Sequence, residues 1–167
     1  MSLPPVWCLL LMRLVRTMRP RSCLELGTGF GISGAYQAAA LELNGTGRLT
    51  TVEGAAEWAE IARRGFMELG LSRVEPVVGP IAEMLADARL GPFDHVLVDA
   101  EHTEEAMLAA FEMLLPDLST NAVVVFDDID FYEGSRRAWS RVKRHPNVSA
   151  AVGLRRFGIA IVSGSIA

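Results

Sequence analysis

Three acids close two apolar runs of this chain: Asp99 follows Val96-Leu97-Val98, and Asp127-Asp128 follows Val123-Val124-Val125-Phe126. A fourth acid, Glu25, stands two residues ahead of glycines on alternate positions, Gly27, Gly29 and Gly31. Glycine lets a backbone turn sharply and lets a ligand approach with no Cβ in the way. A glycine turn between a strand and a helix is the usual seat of an adenine-containing cofactor. Acids at the ends of neighbouring parallel strands are delivered to one crevice. Three like charges there repel and shift each other's pKa values unless a cation is present. Oxygen-only ligation with room for water suits Mg²⁺.

The elements that would position these residues follow from apolar runs and turn residues. After an amphipathic helix around Val6–Met12, strands are expected at Ser22–Leu26, Arg48–Val52, Val74–Val78, His95–Asp99 and Ala122–Phe126. Helices are expected at Ser33–Leu43, Ala55–Leu69, Ile81–Arg89, Thr103–Leu115 and Ser135–Arg144, with Gly70 as a C′ glycine. Apolar runs without alternation indicate strands buried on both faces, hence a mainly parallel sheet between helices. Val148–Leu154 and Phe157–Val162 are separated only by Arg155-Arg156. Two residues cannot support a parallel crossover, so this pair is expected to be an antiparallel hairpin. The fold class is therefore α/β, a Rossmann-like seven-stranded sheet, mainly parallel, with an antiparallel C-terminal strand.

The chain has 167 residues, which suits one domain over 1–167, with Met1-Ser2-Leu3 resembling an expression leader. A chain of this size buries roughly 70% of its unfolded surface. A net charge of −4 argues against a nucleic-acid backbone as the main partner. The run Val6–Met12 is far short of the ~20 residues of a membrane span, and Arg13 and Arg16 interrupt it with helical spacing. Cys8 and Cys23 fall in apolar contexts, reading as buried thiols of a reducing, cytoplasmic compartment. Trp58, Phe66 and Trp139 are expected in the core, and His95 and His145 as structural histidines.

Gly29-Phe30-Gly31-Ile32-Ser33-Gly34 also matches the GxGxxG dinucleotide pattern, and Glu53 at the end of the second strand suits a nicotinamide ribose equally well. A nucleotide-binding oxidoreductase is thus one reading. Glu25 ahead of the glycines, a turn that begins at Gly27, and the terminal hairpin favour another. Leu24-Glu25-Leu26-Gly27-Thr28-Gly29-Phe30-Gly31 resembles motif I of the class I S-adenosylmethionine-dependent methyltransferases. Thr51-Val52-Glu53 and Phe93-Asp94-His95-Val96-Leu97-Val98-Asp99 resemble that family's second- and fourth-strand motifs, in the expected order.

The resemblance implies S-adenosylmethionine bound by Gly27, Thr28, Gly29, Gly31 and Ile32, with Glu53 on the ribose hydroxyls. Glu25 would lie near the amino and sulfonium end through water, and Gly79, Ile81 and Asp99 would also border the cofactor. The family often has an acid after the third-strand glycine, reaching the adenine amino group; here Gly79-Pro80 leaves that contact to backbone at Ile81 or Ala82, or to none. The acids resemble those of the metal-dependent O-methyltransferases of catechol and macrolide-sugar type, implying Mg²⁺ on Asp99, Asp127 and Asp128. The metal would grip a substrate hydroxyl, and Glu101 or His102 would take its proton. His102 is favoured, because imidazole needs little tuning near neutral pH. Asp127-Asp128-Ile129-Asp130 is alternatively a solvated acidic loop, and Phe131-Tyr132 either walls a substrate pocket or caps the sheet. The expected partner is a small hydroxylated molecule. With one helix before the first strand, the pocket is open, built for a larger substrate, or completed by a second copy in a homodimer. A non-catalytic binding or scaffold protein is the third class.

Overall fold

The structure is a computed structural model that describes residues 3–86 and 91–163. In chain order the elements are α1 (Pro5–Met18), β1 (Ser22–Leu26), α2 (Ile32–Asn44), β2 (Arg48–Glu53), α3 (Ala56–Glu68), β3 (Val74–Val78) and α4 (Ile81–Ala86). They continue as β4 (Phe93–Val98), α5 (Glu104–Leu114), β5 (Leu118–Phe126), α6 (Glu133–Val142), β6 (Val148–Leu154) and β7 (Phe157–Val162). The strands form one seven-stranded sheet in the order β3-β2-β1-β4-β5-β7-β6. β2 pairs in parallel with β1 and β3, and β4 with β5. β7 runs antiparallel to β5 and to β6, which confirms the terminal hairpin and the mainly parallel sheet. The expected continuation of α4 from Asp87 to Arg89 lies outside the described residues, as do Met1 and Ser2. Leu3 is buried, and its carbonyl accepts from the Cys8 thiol.

The chain divides into two compact units, Met1–Met84 and Leu85–Ala167. In the first, α1 turns its Val15 toward Cys23 of β1, Ala40 and Leu41 of α2, and Leu49 of β2, all buried. Asn44 locks the ends of α1 and α2 together: its amide donates to the Val15 carbonyl (3.0 Å) and its side-chain oxygen accepts from Arg16 (2.6 Å). α3 ends at Gly70 in a left-handed conformation (φ 68°), with Leu71 N–H to Phe66 C=O and Gly70 N–H to Met67 C=O. Those two bonds satisfy carbonyls that the helix end would otherwise leave unpaired. In the second unit, Phe111 of α5, Phe126 of β5 and Trp139 of α6 meet at 5.8 and 5.9 Å between ring centroids. Full burial of each such ring contributes about 2–3 kcal/mol.

Apolar runs overstate burial at the sheet's edges. β1 and β4 are almost wholly buried, whereas β3 is only partly covered and β6 is exposed over most of its length. Pro76 in β3 fits an edge, since a proline has no N–H to give a ladder. Trp58 is not core either: it is 48% exposed and lies 5.4 Å from the exposed ring of Phe30. Phe66, Trp139, Cys8, Cys23 and His95 are buried as expected.

Candidate functional site

In the first unit β1 delivers Glu25, and the chain then turns over β2. Gly27 and Thr28 donate to the Val52 carbonyl at 2.9 and 3.1 Å. Gly27, Gly29 and Gly31 all have positive φ (102°, 51° and 79°), a region that L side chains rarely adopt. Packing explains the glycine at the last of them: a Cβ on Gly31, the N-cap of α2, would sit 2.8 Å from the Ala62 Cβ and 2.9 Å from the Phe66 ring. Gly34 is equally tight, with the Glu25 carboxyl 2.9 Å from where its Cβ would be. Gly29 is different, because a Cβ there would meet nothing within 4 Å. At the crown of the turn, backbone therefore borders open space.

Glu53, half-buried at the end of β2, fixes that crown. One carboxylate oxygen accepts from Gly29 N–H (2.8 Å) and the other from Ala55 N–H (2.9 Å). Each oxygen keeps a lone pair able to accept a ribose hydroxyl. Gly79 N–H donates to the Glu53 carbonyl (3.0 Å), and Ile81 opens α4 just beyond it.

Glu25 departs from the role that the resemblance implied. It has no exposed surface, so neither a cofactor nor a bridging water touches it in this arrangement. Its oxygens accept from Gln37 Nε2 (3.0 Å) and Thr51 Oγ1 (2.6 Å), and Ser33 also hydrogen-bonds it. The Thr28 hydroxyl lies 2.6 Å from that of Thr51. With the Thr51 proton given to Glu25, Thr28 donates to Thr51, and the relay links the buried acid to the glycine turn. Burial pushes the Glu25 carboxyl up to about 7, against the three hydrogen bonds.

In the second unit, Asp99 follows β4, and Thr103 caps α5 by accepting from Ala106 N–H (3.2 Å). Between them Glu101 is exposed, while His102 stacks on Tyr132, with centroids 5.2 Å apart and planes 9° apart. Its Nε2 is 3.5 Å from Asp128 Oδ2. Asp127 N–H donates to the Val98 carbonyl (3.0 Å), so the end of β5 is held to the end of β4.

Asp127 is almost wholly buried, and Arg156 grips both its oxygens: Nε donates to Oδ1 at 2.6 Å and Nη2 to Oδ2 at 2.7 Å. The same Nη2 lies 3.1 Å from Asp128 Oδ1, close enough for an ion pair but not aligned as a hydrogen bond. Asp128 has a left-handed backbone (φ 52°). Burial and the charge of Asp127 push its carboxyl up, against Arg156 and His102. Arg156 is 7% exposed. Burial works against its charge, yet the hydrogen bonds and charge of Asp127, with Asp128 and Asp99, hold its pKa above the ordinary value.

The expected Mg²⁺ site therefore does not form as drawn from the sequence. Among the described residues no group of three or more His, Cys, Asp or Glu is placed to hold a metal ion. Each Asp127 oxygen already accepts from a buried guanidinium whose positive charge repels a second cation, and Mg²⁺ needs several oxygens converging at about 2.0–2.1 Å. Two of the three acids instead face a guanidinium that is covalently part of the chain.

Arg156 is the residue that sequence reasoning missed. The signal was present in the hairpin. Antiparallel pairing of Phe126 with Gly158 extends to bring residue 156 opposite residue 128. Ile129 N–H donates to the Arg156 carbonyl (3.0 Å), which confirms that juxtaposition.

Residues 24–129 match the protein family described as "Methyltransferase domain". The chain belongs to that family. It is 33% identical over 117 residues to a catechol O-methyltransferase of Mycobacterium tuberculosis, covering 70% of this chain and 51% of that protein. The chain spans about half the length of the curated relatives that it matches. Among solved structures, the O-methyltransferase from Bacillus cereus in complex with SAH superposes with a TM-score of 0.82 at 25% identity, covering 97% of this chain and 83% of that one. An O-methyltransferase from Streptomyces achromogenes involved in tomaymycin synthesis, in complex with SAM, gives 0.81 at 27% identity, covering 98% and 82%.

Proposed function

We propose that this protein is an S-adenosylmethionine-dependent O-methyltransferase acting on a small hydroxylated molecule. The observation that carries the reading is the crown at Gly29. There a left-handed glycine backbone (φ 51°) is pinned by Glu53, and a Cβ would project into open space rather than into protein. These residues fit the cofactor: glycine backbone admits close approach, and Glu53 retains acceptors for a diol. When bound, S-adenosylmethionine supplies an electrophilic methyl group on a sulfonium.

Gly27, Thr28, Gly29, Gly31 and Ile32 would line the cofactor, with Gly79 and Ile81 beside its base. Glu25 would act at one remove, by orienting Thr51 and Thr28. His102 would accept the substrate hydroxyl proton as the C–O bond forms and the C–S bond breaks. Asp128 Oδ2 lies 3.5 Å from its Nε2. Stacking on Tyr132 fixes the plane of the ring. The acids, paired with Arg156, do not fit Mg²⁺.

Calorimetry with SAM and SAH tests the cofactor reading. Binding is expected for the native chain, with loss of ten-fold or more in Glu53→Ala and in Gly29→Val. Absence of binding at millimolar SAH, or binding of a nicotinamide cofactor instead, overturns it.

A further inference from the structure

We propose that Arg156 is the resident cation of the acid cluster, standing where a divalent metal would otherwise be bound, so that methyl transfer by this chain needs no metal. The methyl-transfer clause rests on the function proposed above; the occupancy of the cluster does not.

Three observations carry the assignment. The first is geometry. Arg156 meets Asp127 through two parallel N–H···O bonds of 2.6 and 2.7 Å, the bidentate match of guanidinium to carboxylate. The second is charge. Asp127 and Asp128 are adjacent and buried, and a guanidinium keeps its proton under all ordinary conditions. One fixed positive charge reaching both acids, at 2.7 and 3.1 Å from the same nitrogen, answers the repulsion that would otherwise recruit an ion.

The third is confinement. Arg156 is 7% exposed, its carbonyl is held by Ile129 N–H, and its guanidinium lies 5.6 Å from the centroid of the Phe131 ring. A metal could reach the Asp127 oxygens only after this side chain had left. The arrangement makes Arg156 a positioning residue. It holds Asp127 and Asp128, and Asp128 in turn faces His102 at 3.5 Å.

Mn²⁺ is the probe, titrated into the full chain and followed by loss of the free-ion paramagnetic resonance signal. The native chain is expected to bind none at submillimolar Mn²⁺, and its methyl-transfer rate is expected to agree within two-fold in EDTA and in excess Mg²⁺. Arg156→Met is expected to acquire one Mn²⁺ per chain, because it leaves the two acids without their cation. Arg156→Lys is expected to remain metal-free. Stoichiometric Mn²⁺ binding by the native chain, lost in Asp127→Asn, overturns the proposal, as does inactivation by EDTA. If Arg156→Met does not fold, the native titration still decides. SAH calorimetry on the same sample separates the two readings. SAH binding together with Mn²⁺ binding sinks this inference alone. Failure of both ligands to bind sinks the methyltransferase reading alone.

Discussion

Replacing Glu25 by glutamine should remove a pH dependence of stability that burial builds into the first unit. The Glu25 carboxyl has no exposed surface, and burial raises its pKa from 4.5 to about 7 even though Ser33, Thr51 and Gln37 hydrogen-bond it. Between those two values the folded chain holds the proton more tightly than the unfolded chain. Stability therefore falls as pH rises from about 4.5 to about 7, and the loss is complete above that. At about 1.36 kcal/mol per pH unit, a gap from 4.5 to 7 amounts to roughly 3 kcal/mol. That is a large share of the ~5–15 kcal/mol by which domains are ordinarily stable. Glutamine keeps the shape, keeps an acceptor for Thr51 and cannot ionise. The assay is urea unfolding of both proteins at a series of pH values from about 4 to 8. Groups common to both cancel in the difference, including His95, whose contribution runs the opposite way. The variant should gain roughly 3 kcal/mol relative to the native chain across the interval and then level off. A flat difference would refute the reasoning, because it would mean that Glu25 ionises as freely folded as unfolded.

Four further outcomes follow from particular contacts. His95 is fully buried, and burial lowers its pKa from 6.5 to about 4, so stability is whole above pH 6.5 and is lost as pH falls toward 4; His95→Gln should lower the midpoint pH of acid unfolding. Glu53→Gln replaces one of two carboxylate acceptors by an amide that cannot receive Gly29 or Ala55 N–H, and should weaken SAH binding in calorimetry while costing about 1 kcal/mol of stability. A Cβ on Gly158 would lie 2.7 Å from the Trp139 ring, so Gly158→Val should destabilise by about 1–3 kcal/mol in thermal unfolding. A Cβ on Gly134 would press on backbone at 2.9 Å from Glu104 N and 3.1 Å from His102 O; Gly134→Ala should slow methyl transfer while leaving SAH affinity within two-fold.

Much of the fold was legible because its signals are local. Glycine turns and apolar runs placed β1, β3, β6 and β7 at their observed bounds. β5 is longer than its apolar run: it begins at Leu118, because Ser119 and Thr120 continue the strand before Asn121 takes a positive φ of 61°. Polar residues at a strand's start carry no hydrophobic period, so sequence gives them no strand signal. Edge exposure at β3 and β6 was hidden for a different reason, since residue type does not disclose which strands have a neighbour on both sides. In the site, the glycine turn and Glu53 were readable because their roles depend on chain order. Glu25 was placed correctly on its strand but given the wrong surroundings, because Gln37 and Thr51 reach it from α2 and β2. The acids were found and their cation was not. A charge partner 29 residues downstream becomes visible only when strand register is used as well as strand location.

Arg156 lies between the two last strands, and β7 enters the sheet beside β5 with Phe126 opposite Gly158. During synthesis the chain emerges from its N-terminus at about 5–20 residues per second. Asp127 and Asp128 are thus made before the residue that pairs with them. Until β7 docks, the two acids have no guanidinium, and burying them is costly. Seating the final strand and completing the electrostatics of the acid cluster are one event. A chain truncated before Arg156 should keep the end of β5 hydrated and open to proteases, so protection of the cluster reports that the hairpin is in place.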